Sequence, residues 1–459
     1  MSVDLVIRNG TIVTPGMRQR ADIGIQSERI VQIGGPMDGV REIDASGLHA
    51  LPGAIDAHVH LTPAEPAPDG IQWADDFTSG SEAALAGGIT TVGNMTFLRP
   101  GELMLDGLGR EAELVRAQAI ADVILHPVIS DPRPEIIEEI RTLEAAGHTD
   151  IKFFMSTPTF DAHATGFLAA TRAAGGLGLL TMIHCEDYPI IRESIDRLLA
   201  DGRGALRHYP ASRPIVSEVV ATQRAVALCE QTGAPIYVVH LSCARALQVC
   251  AEAQALGLPV YVETRPLYLH LTSERFEEPE GAKYVGQPPL REESDRLALW
   301  HGLASGSIHT VCTDHAPWTL EHKLDPALNV GKLRPGVENL QTMLPMLCSE
   351  GVRAGLISLE RLVELTATNV AKLFGLYPRK GTIAVGADAD LVLWDLDETR
   401  TIRGEDMLSR AGHSIYEGRE VTGWPRVTIR RGEVVYENGR ITAAPGSGRL
   451  IPREQTRGV

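Results

Sequence analysis

The sequence predicts an α/β fold: a (β/α)₈ barrel with a small β domain assembled from both ends of the chain. Three observations carry that expectation. Eight apolar runs of strand length alternate with helical stretches through the middle of the 459 residues. Short strand and turn signals crowd both ends instead. Polar residues able to hold a metal ion fall at the same end of several of the apolar runs.

The terminal elements come first. DLVIRNGTIV, ADIGIQSERIVQIGG and GLHALPG carry strand signals, punctuated by the turn dipeptides Asn9-Gly10 and Gly34-Gly35. Similar signals return in ADLVLWDLD and RVTIRRGEVVYENGRIT. The simplest layout pairs residues 1–52 with residues 379–443 in one sheet domain and leaves 53–378 as the barrel between them. Within the final segment, 444–459, PGSGRLIPREQTRGV offers no core and reads as a loose tail or an arm on a neighbour.

In the barrel region the candidate strands are AIDAHVH, ITTVGNM, DVILHPVI, DIKFFM, LLTMIH, PIYVVH, LPVYVET and IHTVCT. Helical segments such as SGSEAALAGG and CARALQVCAEAQALG separate them, each closed by glycine. Continuous apolar strands followed by helices read as a parallel sheet buried on both faces, and eight such units suggest a closed barrel. SLERLVELTATNVAKLFGLYPRKG then reads as a helix capped by Ser358 and stopped near Gly375.

Bulk properties exclude several classes. A net charge of −16 argues against nucleic acid or an anionic membrane surface as the main partner, while leaving a small anionic substrate open. Six scattered cysteines with no CxxC pair point to a reduced, cytoplasmic setting rather than a disulfide scaffold. MSVDLVIRNGTIV alternates like a strand and lacks the basic start and apolar core of a signal peptide. No stretch approaches the length of a membrane span.

The chemistry concentrates at strand ends, where such barrels keep their catalytic residues. His58 and His60, one residue apart on a strand, point the same way. Lys152 lies in DIKFFM, His184 and His240 end the fifth and sixth runs, and Asp314 follows the eighth in CTDHAP. Any one alone reads as a rim residue, a helix cap or, for lysine, a chain reaching solvent. Six sharing one end read as a metal centre. Histidine and carboxylate donors without cysteine suit a divalent ion such as Zn²⁺ in a catalytic site. A free lysine, pKa near ~10.4, is protonated and repels a cation, so Lys152 joins only if its amine becomes an anion.

With these residues in view, the chain resembles a known family. DAHVHL, DIKFFM, IHCED, VVHLS and TDHAP look like the metal-ligand motifs of the cyclic-amide branch of the amidohydrolase superfamily, and specifically of the hydantoinase and dihydropyrimidinase family. The likeness extends through ADDFTSGSEAALAGGITTV, VYVETRPLYLHLT, AKYVGQPPLRE, RKGTIAVGADADLVLWD and YEGREVTGWPRVTIRRG. It implies a distorted barrel with a β-sandwich built from both termini. It also implies that Lys152 reacts with CO₂ to give N6-carboxylysine, bridging two divalent ions, Zn²⁺ or else Mn²⁺ or Co²⁺. His58, His60 and Asp314 would then hold the more buried ion, and His184 and His240 the second. Asp314 would move the proton while a small cyclic amide ring is hydrolysed. A homotetramer is the assembly the resemblance suggests.

Substrate-facing positions depart from the family pattern. Thr157 stands where a tyrosine usually donates to the oxyanion, and losing one such donor typically costs ~10²–10³ in rate unless another group replaces it. Tyr188 offers a phenol nearby, with a packing role equally open. Gln287 replaces a serine, and Lys332 an asparagine. Lys332 and Arg334 would face a substrate carboxylate if turned inward and form a solvated basic loop if not. Thr62 occupies the position where dihydroorotases carry an arginine, which argues against that activity. IHCED keeps allantoinase as the alternative, and a metal-free cytoskeletal adaptor is disfavoured because all six ligand positions are present. Cys243 reads as a small core residue, His315 as a rim or orienting residue, and His322 and Lys323 as loop residues.

Overall fold

The computed structural model describes residues 2–62 and 71–454. Eight parallel strands follow one another in sequence order around a nearly closed barrel. They are β1 (Ala54–Val59), β2 (Ile89–Phe97), β3 (Asp122–Val128), β4 (Asp150–Phe154), β5 (Leu180–His184), β6 (Ile236–Val238), β7 (Val260–Thr264) and β8 (Thr310–Val311). Each of the eight apolar runs supplies one of them, although β6 and β8 keep only three and two residues of ladder. Closure between β8 and β1 rests on a bridge from Val59 to His315 and on His60 N donating to His315 O at 2.8 Å. Register sets the strand ends level: Val128 pairs with Lys152, and Phe154 with His184.

Helices cover the barrel because their local sequences start and stop them. Asp76 caps the helix Phe77–Ala86, its carboxylate accepting from the Thr78 and Ser79 amides. Ser358 Oγ accepts from Arg361 N at 3.1 Å, as expected of an N-cap. The helical run it opens widens into a π turn at Glu364–Thr368 and ends at Phe374 and Gly375, the latter with φ of 70°.

Both chain ends build the second core. A four-stranded sheet holds Ser2–Arg8, Ile23–Gln26, Arg29–Ile33 and Asp38–Asp44. A seven-stranded sheet joins His49–Pro52 from the front of the chain to Leu391–Thr401 from the back, antiparallel, with Leu391 opposite Pro52. Leu5, Ile7 and Ile25 of the first sheet pack with Ile12, Leu393 and Ile429 of the second. Alternating apolar residues on facing sheets make a sandwich.

The carboxyl-terminal segment departs from the loose tail expected of it. Val123 N donates to Arg449 O and Ile451 N to Val123 O, both at 2.8 Å, so the segment runs along β3 of its own barrel. Ile451 is buried in the apolar cluster of Ile124, Met182 and Phe374. Arg453 is buried too, paired with Asp150 and donating to Leu125 O at 2.7 Å. A charge that reads as solvent-facing is thus a buried ion pair with a partner distant in sequence. Residues 455–459 lie outside the described residues. Among the described residues, no helix is long and apolar enough to cross a membrane.

Candidate metal centre

At the carboxyl end of the barrel, donor atoms of His58, His60 and Asp314 all lie within 4.8 Å of one another. Asp314 Oδ1 stands 3.2 Å from His58 Nε2 and 2.9 Å from His60 Nε2. The His58 and His240 ring centroids are 5.5 Å apart, and His240 meets His184 edge to face at 4.5 Å. Lys152 is completely buried, its Nζ 4.9 Å from the centre of the Phe154 ring. Among the described residues, His58 Nε2, Lys152 Nζ and His240 Nδ1 are all buried without a hydrogen-bond partner. Orphaned donors at one end of a barrel are costly unless a ligand satisfies them, and this nitrogen and oxygen set fits divalent cations.

Protonation follows burial. Desolvation lowers His58 to about 4, against the pull of Glu263 and Asp314, and pushes His184 and His240 down as well. All three are neutral imidazoles at physiological pH, the form that binds metal. Burial brings Lys152 down to about 8, opposed by Glu263 and Asp314. A far larger share of its amine is therefore unprotonated, and able to react with CO₂, than for an ordinary lysine. For Asp314, burial pushes the carboxyl up, but Arg265 and the two histidines together hold it well below the usual range.

A second layer of charge orients these candidate ligands. Glu263, at the end of β7, accepts from His58 Nδ1 at 2.8 Å and from His240 N at 2.9 Å. Glu186 contacts His184 Nε2 at 2.8 Å and is itself gripped by Arg213. Asp56 ties β1 to the loop after β8, accepting from Thr313 N at 3.1 Å and from Thr313 Oγ1. His240 and Asp314 both have positive φ, 41° and 48°, a strained backbone for non-glycine residues that such contacts help to hold. The aspartate of DAHVH is thus a strut between strands. Glu263 sits in one of the quoted strand motifs, but its role emerges only from contacts more than 20 residues away.

Above the ligands opens a cavity of ≈ 360 Å³. Trp73, Phe97 and Phe154 form an aromatic wall, with the Phe97 and Phe154 rings stacked at 6.1 Å. Ser130, Ser156, Thr157 and Gln287 supply the polar lining. Thr157 donates its hydroxyl to Phe154 O at 3.3 Å. Tyr188 begins the helix Tyr188–Ala200 and is not among the lining residues. Lys332 is exposed, and its loop reaches the cavity through Pro335 and Gly336. Ser130 and Ser156 each lie two residues past the end of a barrel strand, a positional signal by which the sequence could have revealed them. Thr62 is closed into a buried network, donating to Glu111 and accepting from Asn94 Nδ2 at 2.7 Å.

Lys323 differs from the loop residue its LEHK setting suggests. It is buried, and its Nζ lies 2.8 Å from each of three carbonyl oxygens, those of Val285, Arg334 and Gly336. Three acceptors use all three hydrogens of an ammonium. The side chain ties together the two loops that bring Gln287, Pro335 and Gly336 to the cavity.

Residues 49–435 match the family model described as the amidohydrolase family. A D-hydantoinase of Rhizobium radiobacter is 36% identical over 99% of both chains. A D-hydantoinase of Geobacillus stearothermophilus is 37% identical over 98% of this chain and 96% of its own. The crystal structure of a dihydropyrimidinase from Brevibacillus agri superposes with a TM-score of 0.94 at 36% identity, covering 99% of each chain.

Proposed function

This chain belongs to the amidohydrolase family, and from that premise we propose that it opens small cyclic amide rings of the hydantoin or dihydropyrimidine type by metal-dependent hydrolysis. One observation carries the reading: His58, His60, His184, His240 and Asp314 stand at or beside the carboxyl ends of one barrel's strands and line the same aromatic-walled cavity, with Lys152 buried within β4. His58, His60 and Asp314 would hold one divalent ion, His184 and His240 a second, with Lys152 carboxylated by CO₂ as the anionic ligand between them. Zn²⁺ suits this donor set, as do Mn²⁺ and Co²⁺. Bound there, such ions supply a water acidic enough to act as hydroxide near neutral pH and a pull on the amide carbonyl.

The chain's own residues do the rest. Trp73, Phe97 and Phe154 enclose the ring and exclude bulk water. Asp314 accepts the proton of the attacking water as the new C–O bond forms, then delivers it to the ring nitrogen as the C–N bond breaks. The products are a carboxylate and a freed amide or ureide nitrogen on one open chain. Ser130, Ser156 and Gln287 are the polar groups available to orient the ring. Thr157 gives its hydrogen to the backbone, so the usual tyrosine has no replacement at that position. A homotetramer remains the assembly that similarity to the family suggests.

The test is a ring-opening assay on metal-analysed protein supplied with bicarbonate. Dihydrouracil, 5-substituted hydantoins, allantoin, dihydroorotate and simple cyclic imides form the panel. Turnover of either of the first two supports the proposal. Fully metallated protein that opens only allantoin or an imide would shift the substrate class, and protein that takes up no metal would sink the mechanism.

A further inference from the structure

Arg265 follows β7 directly and is completely buried, yet it does not line the cavity. Its guanidinium is spent on two neighbouring residues. Nη1 stands 3.0 Å from Asp314 Oδ2 as an ion pair without the alignment of a hydrogen bond, while Nε donates to Thr313 O at 3.1 Å and Nη2 to Asp314 O at 3.4 Å. Among the described residues Asp314 is its only ion-pair partner. We propose that Arg265 is a positioning residue for Asp314: it ties down Oδ2 and the strained turn, so that a single oxygen, Oδ1, faces His58 and His60. This inference rests on the metal-centre reading above and adds a residue to it.

Three features show that the place is built for this contact. Asp314 has φ of 48°, a conformation that a non-glycine residue keeps only when its surroundings over-determine it. Arg265 grips the carbonyls on both sides of that turn and the side chain between them. Room for the guanidinium comes from Gly286, where a Cβ would sit 2.8 Å from Nη1. The Gly286 carbonyl is anchored in turn by the Tyr209 hydroxyl at 2.9 Å. The Tyr268 ring lies 5.5 Å from the guanidinium carbon and closes another side.

Burying an arginine beside a cation site is electrostatically unfavourable, because the guanidinium repels the ion. Its gain is directional. A carboxylate with one oxygen occupied by arginine can offer an ion only the other, whereas a free one can rotate and chelate through both. A chelating aspartate commits both oxygens to the ion, which lowers its basicity toward the proton of the attacking water and fixes its orientation.

The experiment uses Arg265→Met and Arg265→Lys, loaded with Co²⁺ and compared with wild type. Arg265→Met should bind Co²⁺ at wild-type stoichiometry, but its visible absorption should weaken as the ion gains a second aspartate oxygen. Its kcat should fall on the order of 10²-fold with KM within about twofold. Arg265→Lys, which keeps the charge and one donor, should recover part of both signals. A methionine variant with the wild-type spectrum and kcat overturns the inference while leaving the metal centre intact. Equal loss of folding and metal in both variants overturns it too, because that marks a purely structural role. Wild-type protein that binds no Co²⁺ removes the metal-centre reading itself. Since the spectrum requires no substrate, failure of the ring-opening assignment is seen separately.

Discussion

Glu263 Oε1 accepts from His58 Nδ1 at 2.8 Å in the buried centre of the barrel, leaving His58 Nε2, on the side of the candidate metal centre, without a hydrogen-bond partner among the described residues. The same carboxylate receives the His240 amide at 2.9 Å and the Tyr237 hydroxyl at 3.0 Å. One side chain therefore fixes the tautomer of one candidate ligand and the backbone of another. Such outer contacts typically set metal affinity within a factor of about 10–100.

Glu263→Gln is expected to weaken metal binding by about that factor. An amide supplies only one acceptor oxygen, and its NH₂ would face a donor, either His58 Nδ1–H or Tyr237 O–H. Competition against a chelator measures the change, with thermal unfolding as a control for folding. Wild-type affinity in a folded variant would show that Glu263 does not orient His58.

Lys152→Ala should lose most bound metal, since it removes the group proposed to become, as a carbamate, the anionic ligand shared by the two histidine pairs. Wild-type protein stripped of metal should regain activity faster when bicarbonate accompanies the ion, because the carbamate must form again. The variant should show no such response. Two ions per chain and full activity in Lys152→Ala would remove the carboxylated lysine from the mechanism.

Much of this was readable beforehand, for a physical reason. Strands buried on both faces need unbroken apolar runs, and a barrel collects its polar residues at one end. Runs such as DVILHPVI and LLTMIH therefore show both their structure and the position of His184. The supporting charges were not readable. Arg265 lies 49 residues from Asp314, Glu263 lies 205 from His58, and nothing local names the partner of either. Lys323 and Arg453 mislead more directly, because a cation in a polar stretch looks solvated until its partners fold around it. The Arg453 partner, Asp150, lies 303 positions earlier.

Lys323→Met should raise KM several-fold with metal content unchanged. Methionine fills similar volume but leaves the carbonyls of Val285, Arg334 and Gly336 without their donor. Each buried group left unpaired costs about 1–3 kcal/mol, so stability should fall as the loops loosen. Denaturant unfolding and steady-state kinetics together check this. An unchanged KM would mean that these loops do not shape the substrate site.

Glu338 provides a prediction in pH. Burial, reinforced by the charge of Asp75, raises its carboxyl from 4.5 to about 8. The folded protein therefore holds a proton that the unfolded chain releases. The stability this contributes is complete below about 4.5, declines as pH rises, and is gone above about 8. Glu338→Gln keeps the shape and cannot ionise. Its stability relative to wild type should rise between pH 5 and pH 8, then level off at a gain on the order of a few kcal/mol. Groups remote from Glu338 titrate alike in both proteins, so the difference between their unfolding curves reports Glu338 together with the Asp75 charge coupled to it. A difference that stays flat across that interval would mean that Glu338 is ionised in the folded state, with its charge neutralised by the surrounding chain.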